Sequence, residues 1–466
     1  MNSKKFNISH SFKTKSEITT RTILIADAFG LGIDEEKEFP IYDNFKFELY
    51  ANDIVYITGD SGSGKSWILN NVFSKSAHAI CIDDIKIDDE EILIEGVGKD
   101  LNDALRILNL AGLGDAFLYL RKYSQLSDGQ KYRYKIAKFI ESDKHIWILD
   151  EFGAKLDRIT AKIVAYNLQK IARQLGRLVV CATTHTDLKN ALQPSLYIEK
   201  GFETDVHCER LHEPDEEIKF KLKDIYDEIT IEKGERKDYD KLKRFHYRQS
   251  GVGAVRDICT MKHEGNIIGV MILTYPHLAL KGRNVHTNKK FAKMTTETCK
   301  MINEQFSCIS RIVIHPKYRG LGLSYHMIKF YLDNFADTKY VETLAVMSKY
   351  SPFFKKAGMT LVEVEADKRR AKKVQQIEEY GFNTSLVSSA IYNKSIYDKL
   401  TSERQQEFRE LIISILKSYK GAIRKLFGDK KSLEEVVADN LFTVIKEIKR
   451  ADTLYWIWEN PKIKGD

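Results

Sequence analysis

The segment GDSGSGKS at 59–66 constrains this chain more than any other feature. It follows the apolar run DIVYIT and precedes a helix-like stretch, so a strand is expected to turn through glycines into a helix. Gly59, Gly62 and Gly64, with Ser61 and Ser63 between them, let backbone N–H groups curl around an anion. The helix that follows adds the positive end of its dipole. Lys65 is placed to neutralise β- and γ-phosphate charge, and the Ser66 hydroxyl to ligate Mg²⁺. Strand-like runs at 53–59, 145–150 and 177–185 alternate with helical patterns through residue 200, which predicts a parallel α/β fold around this loop.

Three further motifs follow in order. HIWILDE (145–151) is an apolar strand ending in two acids. Asp150 is placed to hold Mg²⁺ and Glu151 to polarise an attacking water as general base. LSDGQ (126–130) stands where a helix opens, and His185 follows the strand RLVVCATTH, where it could hydrogen-bond a γ-phosphate. This ordered set resembles the ABC ATPase family over roughly residues 20–205, with Ala154-Lys155-Leu156-Asp157 as its D-loop. The resemblance implies ATP and Mg²⁺ as ligands and a homodimer that sandwiches ATP, with Ser127 and Gly129 acting across the interface and Asp157 beside it. Asp128 replaces the usual glycine of the signature, no Gln occurs between 66 and 124, and only about 60 residues separate the phosphate loop from the signature. A transporter would couple through the missing parts, so a soluble ATPase without a transmembrane partner is the expectation. Phe29 and Tyr42 are the aromatic candidates for stacking on adenine.

The remainder reads as a second α/β unit. A hairpin is expected over 257–276, turning at Glu264-Gly265-Asn266. SRIVIHPKYRGLGLS (310–324) then runs a β-branched strand through a basic, glycine-containing loop into a helix, a second anion cradle or a plain β–loop–α turn. With YVETLAVM (340–347) and SPFFKKAGM (351–359) downstream, the order resembles the GNAT N-acyltransferase family over roughly 218–366. That resemblance implies acetyl-CoA or another acyl-CoA, its pyrophosphate on the loop of Lys317, Arg319, Gly320 and Gly322 and its pantetheine along Ile312–Ile314. Phe354 stands where many members carry a Tyr general acid; Tyr350 lies one turn away, and His246, Tyr247 and Glu342 are the other polar candidates. His246 and Tyr247 read equally well as core residues at a helix end. The second unit also distantly resembles Mom, a phage protein that modifies DNA adenine through a GNAT-related fold.

The expected organisation is therefore α/β: an ABC-type P-loop NTPase domain (1–208), a linker (209–217), a GNAT-like mixed α/β domain (218–366) and a basic helical C-terminal region (367–466). Residues 1–200 hold 27 Lys and Arg against 28 Asp and Glu, while the whole chain is +8, so the positive charge lies in the second half. Nucleic acid is one partner this charge suits, and a solvated lysine-rich face is the other reading. No run of ~18 apolar residues is present, and MNSKKFNISHSFK lacks an apolar signal core. Six scattered cysteines without a CxxC pair fit reduced thiols in a cytoplasmic protein that does not engage membranes. The expected function is ATP hydrolysis coupled to N-acylation, of a nucleic-acid base or alternatively of a small amine or protein lysine; a non-catalytic ligand-binding second domain is the third possibility.

Overall fold

A computed structural model describes residues 3–14, 17–32, 37–213, 222–246, 251–345, 348, 353–364, 372, 375–417, 432–448 and 453–463. The chain opens with an antiparallel ribbon of β1 (Ser3–Thr14) and β2 (Lys37–Tyr50). Its alternating apolar residues Phe6, Ile8, Tyr42, Phe47 and Leu49 are buried against β3 (Ile54–Gly59) and the helix Lys65–Ser74. Phe6 and Phe47, directly paired in register, stack at 5.1 Å, the cross-strand contact that fixes which face points inward.

The first main sheet adds β4 (Ala79–Cys81), β5 (Ile146–Leu149), β6 (Leu178–Ala182), β7 (Leu196–Lys200) and β8 (Val206–Arg210). Its order is β4-β5-β6-β3-β7-β8, parallel except for the last pair. Ile54–Ile57 and Leu178–Ala182 are buried on both faces, which is why these strands read as unbroken apolar runs rather than as alternation. Because β3, β5 and β6 are parallel neighbours, the segments leaving their carboxyl ends meet at one edge, where open α/β sheets bind ligands.

Two expectations fail in this half. The acidic stretch 83–95, expected as a surface strand and loop, is a short 3₁₀ turn and a loop with a single bridge, Ile92 to Lys122. Leu93 anchors it in the core, and the Glu91 carboxylate accepts from the Tyr134 hydroxyl at 2.7 Å. The linker expected at 209–217 begins inside the sheet, since Arg210 ends β8 and its guanidinium holds both carboxylate oxygens of Asp53 at 3.0 Å; 214–221 lie outside the described residues.

The second sheet contains β9 (Ile229–Lys233), β10 (Val255–His263), β11 (Asn266–Thr274), β12 (Phe306–Ile314), β13 (Tyr340–Ala345), β14 (Thr360–Val362) and β15 (Leu454–Glu459). The order is β14-β15-β13-β12-β11-β10-β9, and only β12 and β13 pair in parallel. The β10–β11 hairpin turns at Glu264 and Gly265, both at positive φ, as a tight two-residue turn requires. The parallel pair is joined through the helix Leu323–Asn334, but its ladder covers only Phe306–Cys308 against Tyr340–Glu342. Beyond that point β12 continues beside β11 while β13 continues beside β15, so the two strands splay apart.

The C-terminal region is not helical throughout. Helices Ala390–Tyr397, Ser402–Leu416 and Leu433–Ile448 share a core around Phe408, Ile412 and Ile445. Residues 454–459 instead insert as β15 between β13 and β14. LYWIWE is built of aromatic and β-branched side chains that suit a pleated, buried surface, and Tyr455, Trp456 and Ile457 are all buried there. Among the described residues, no helix is long and apolar enough to cross a membrane.

Candidate functional site

The loop after β3 is held open by glycines. Gly59, Gly62 and Gly64 have φ of 144°, 77° and 101°, and a Cβ on Gly59 would sit 2.3 Å from the Lys200 carbonyl oxygen. Lys65, buried at the first turn of the helix, donates to the carbonyls of Gly59 (2.8 Å) and Asp60 (2.6 Å). Burial pushes its pKa down, opposed by the charges of Asp150, Asp60 and Glu151. Ser66 donates to Asp150 at 2.7 Å, across 84 residues of sequence. The hydroxyl of Ser63 is buried with no hydrogen-bond partner, and a Cβ on Gly62 would meet nothing within 4 Å. A cradle with an orphaned donor, a cation at its base and a hydroxyl–carboxylate pair at its side fits a Mg²⁺-bound polyphosphate.

Glu151 follows Asp150 at φ 45°, its side chain exposed. Phe152 N–H donates to the Ala182 carbonyl at 2.8 Å, which keeps this segment beside the end of β6. From there the backbone runs to half-buried His185, whose carbonyl accepts from the Tyr56 hydroxyl. Burial, with the Arg158 charge second, pushes the His185 pKa below its ordinary value, so the ring is neutral at pH 7. Ser127 caps the helix Asp128–Glu141 and is exposed, with Gly129 at the helix's second position and packed near Thr160. Neither Ser127 nor Gly129 lines the cavity beside this chain's own phosphate loop.

That cavity, of about 480 Å³, lies between Asp60–Ser63 and the ribbon, with Phe39 and Phe202 on its walls. Tyr42, a sequence candidate for adenine stacking, cannot serve: it is 2% exposed and its hydroxyl donates to the Gly64 carbonyl at 2.9 Å. Phe29 is exposed at the end of its helix and is not on these walls. Phe39, half exposed on β2 and lining this cavity, is an aromatic that no sequence motif marks. Plain alternation along β2 would put Phe39 and Tyr42 on unlike faces, but a register shift between them pairs Tyr42 with His10 and Phe39 with Phe12, which brings both onto one face of the ribbon.

A second cavity, of about 380 Å³, occupies the splay between β12 and β13. Ile312 and Ile314 line one wall, Thr343 and Phe354 the other, and Gly320, Gly322 and Ser324 its mouth. Gly320 and Gly322 have φ of 91° and 77°, and Gly322 caps the helix Leu323–Asn334 without a side-chain bond. The helix's first N–H groups are therefore left for another acceptor. Part of the wall comes from the first half of the chain, from Asn109, Gly112 and Asp115.

The cations expected at this loop are paired with acids of the first half, Arg319 on the cavity wall and Lys317 away from it. Lys317 pairs with Asp157 at 2.5 Å, and Arg319 with Asp115 at 2.5 Å. Burial raises the Asp157 pKa, but hydrogen bonds from Lys317 and Thr160 outweigh it and hold the carboxylate below its ordinary range. Arg133, also buried, donates to the carbonyls of Gly112 (3.2 Å), Pro316 (3.1 Å) and Lys317 (2.8 Å). Burial pushes its pKa down to about 10, with Arg319 adding to the shift, so it stays charged at neutral pH.

Of the transferase candidates, His246 reaches the cavity, where its Nδ1 meets Arg311 Nη1 at 2.6 Å. Glu342 does not line it. Both it and Arg283 are fully buried; Glu342 accepts from Arg283 Nε at 3.1 Å and from the Tyr455 hydroxyl at 2.6 Å. A carboxylate within a dry sheet needs such partners, so Glu342 is a structural acid. Tyr247 and Tyr350 lie outside the described residues. Glu228, His263 and Glu264 each bring a ligand atom within 4.8 Å of the others. His263 Nε2 faces Glu228 at 3.3 Å and Nδ1 meets the Tyr318 hydroxyl at 3.1 Å, so both ring nitrogens already face protein oxygens.

The strand–loop–helix cradle, with its lysine and its serine–aspartate pair, defines the first half as a P-loop nucleotide-binding unit. No family model matches the chain. The cytochrome c biogenesis ATP-binding export protein CcmA of Reclinomonas americana is 30% identical over 179 residues, covering 32% of this chain and 79% of the relative. A methionine import ATP-binding protein MetN of Streptococcus agalactiae serotype Ia is 27% identical over 222 residues, 37% of this chain and 62% of the relative. An ATP-dependent lipid A-core flippase of Neisseria gonorrhoeae is 30% identical over 175 residues, with 28% of its length matched. Among solved structures, the dimeric post-hydrolysis state of the ATP-binding cassette MJ0796 bound to ADP and Pi is 18% identical at a TM-score of 0.33, covering 46% of this chain and all of that one. On the CcmA match, the chain belongs to the ABC ATPase family. ATP and Mg²⁺ are the ligands its relatives imply.

Proposed function

We propose that this ABC ATPase closes as a homodimer around ATP and couples that cycle to an acyl-CoA-dependent N-acyltransferase in its second half. In the first half, Lys65 and the backbone amides of Gly59–Gly64 bind the phosphates, and Ser66 and Asp150 hold Mg²⁺. Glu151 takes a proton from the attacking water, and neutral His185 donates to the γ-phosphate. Ser127, Gly129 and Asp157 complete the site from the other subunit. ATP supplies the phosphoanhydride and Mg²⁺ its charge neutralisation; positioning and proton transfer are the protein's part.

The observation that carries the transferase reading is the splay of β12 from β13, with a glycine-bounded helix start at its mouth. A pyrophosphate group fits the amides of 320–324, and a narrow chain fits beside Ile312 and Ile314. An acceptor amine would attack the thioester carbonyl: a C–N bond forms, the C–S bond breaks, and CoA leaves as its thiol with the proton the amine gives up. His246, fixed by Arg311, is the ionisable candidate facing that space. The acceptor we propose is an amine of a nucleic-acid base, on the positive charge of the second half.

The test is thiol release from acetyl-CoA by the full chain, with DNA, RNA, a polyamine or a lysine peptide as acceptor, followed by mass spectrometry of nucleosides. Acylated nucleosides are the expected product. Release with the amine or peptide alone would move the acceptor to those classes. No release with any acceptor would make the second half a ligand-binding unit.

A further inference from the structure

The loop 316–322 has two faces. Gly320 and Gly322 line the second cavity, while the carbonyls of Pro316, Lys317 and Arg319 are gripped by the ATPase half and that of Leu321 by the Tyr226 hydroxyl. Arg133 holds those of Pro316 and Lys317, and Asn167 Nδ2 donates to that of Arg319 at 3.3 Å. Gly320 lies directly under Asn167, where a Cβ would come within 2.3 Å of the amide. Arg133 belongs to the helix Asp128–Glu141 that LSDGQ opens. Asn167 belongs to the helix Arg158–Leu175, which Asp157 caps by accepting from Thr160 N–H at 3.2 Å.

A hydrogen-bonded path leads from this loop to the nucleotide cradle. Lys317 pairs with Asp157. The turn before Asp157 is closed by Leu156 N–H to Gly153 and Ala154 N–H to Glu151, both at 3.0 Å. Glu151 N–H donates to Asp150 at 2.9 Å, and Asp150 accepts from Ser66. A Mg²⁺-bound nucleotide competes for that last bond, since Ser66 and Asp150 are the groups that would hold the metal.

We infer that Arg133 and Asn167 are positioning residues for the second-half anion cradle, and that the Asp157–Lys317 pair makes cradle and nucleotide site respond to each other. The Arg319 carbonyl held toward Asn167 turns the Gly320 amide to the opposite side of the peptide, while Arg133 fixes the preceding turn, whose own amides bond His315, so the cradle is complete only while docked on that surface. Anything that shifts the segment 150–157 changes the loop's alignment, and occupancy of the cavity biases that segment in return. Linkage makes the two effects equal in fold-change.

This inference rests on the acyl-CoA reading, and its test separates the two. The affinity of CoA for the full chain is measured with and without saturating Mg²⁺ and a non-hydrolysable ATP analogue, and the analogue's affinity with and without CoA. We expect at least a ~5-fold change, the lower end of typical coupling, equal in both directions. Lys317→Ala and, separately, Asp157→Asn should bring that ratio toward one. CoA and nucleotide that both bind with independent affinities in the unaltered chain would overturn the inference while leaving the acyl-CoA reading standing. Absence of CoA binding in either nucleotide state would overturn both.

Discussion

Replacing Glu342 with Gln distinguishes a structural acid from a catalytic one. Arg283 and Glu342 are 1% and 0% exposed, and the pair is completed by the Tyr455 hydroxyl. Burial and the neighbouring carboxylate push the Tyr455 pKa well above its ordinary value, so it remains a donor. Glu342→Gln keeps the shape but leaves the guanidinium buried without a counter-charge, which costs about 3–5 kcal/mol. Against a total stability of ~5–15 kcal/mol and a urea slope of ~2–3 kcal/mol/M, the midpoint should fall by about 1–2 M. Trp456 and Trp458 sit on β15 beside the pair, so tryptophan fluorescence in a Trp67→Phe, Trp147→Phe background reports this sheet. Arg283→Met with Glu342→Leu should recover most of the loss, because a buried ion pair exchanged for apolar groups is often near neutral. A midpoint within ~0.3 M of the parent, with acyl transfer lost, would refute the structural assignment and return Glu342 to chemistry.

Three other outcomes follow from the two sites. Glu151→Gln should lower ATP hydrolysis by about 10²–10⁴-fold while ATP shifts the chain to a dimer in size-exclusion chromatography; hydrolysis at the parent rate would remove Glu151 from its role. Phe39→Ala should weaken ATP binding by roughly tenfold, since stacking of a base on an aromatic ring is worth ~1–3 kcal/mol; an unchanged affinity would place adenine elsewhere. His315 Nδ1 accepts from Lys317 N–H at 3.3 Å, and burial, then the charges of Arg244, Arg319 and Lys317, lower its pKa. The unfolded chain therefore binds that proton more readily, so the stability His315 contributes is full above about pH 6.5 and is lost as pH falls through its depressed folded value. Thermal denaturation across pH 4.5–7.5 should show this decline and His315→Ala should flatten it; identical profiles would contradict the reading.

The nucleotide site was legible because its chemistry is local. Gly59–Ser66 form a cradle through their own backbone, and the acids at 150–151 end a strand that parallel pairing places beside it. What was not legible depends on docking. The contacts of Lys317 and Arg319 cross 160 and 204 residues of sequence, and a basic residue in a glycine-containing loop reads as an anion ligand until its acid is known. Glu342 looked available because its neutralising partner, Arg283, carries no motif. Residues 454–459 were absorbed into a helical tail because the surrounding pattern is helical, although alternating aromatic residues could have flagged a strand.

The central claim, that the cavity between β12 and β13 holds an acyl-CoA, is tested most directly by titrating CoA into the full chain and into two variants. CoA carries an adenosine phosphate that could enter the P-loop, so Lys65→Ala isolates the second site. Ser324→Glu places a negative charge at the cavity mouth. The expected result is one CoA per chain, retained in Lys65→Ala and lost in Ser324→Glu. Binding that disappears with Lys65→Ala and survives Ser324→Glu would contradict the claim.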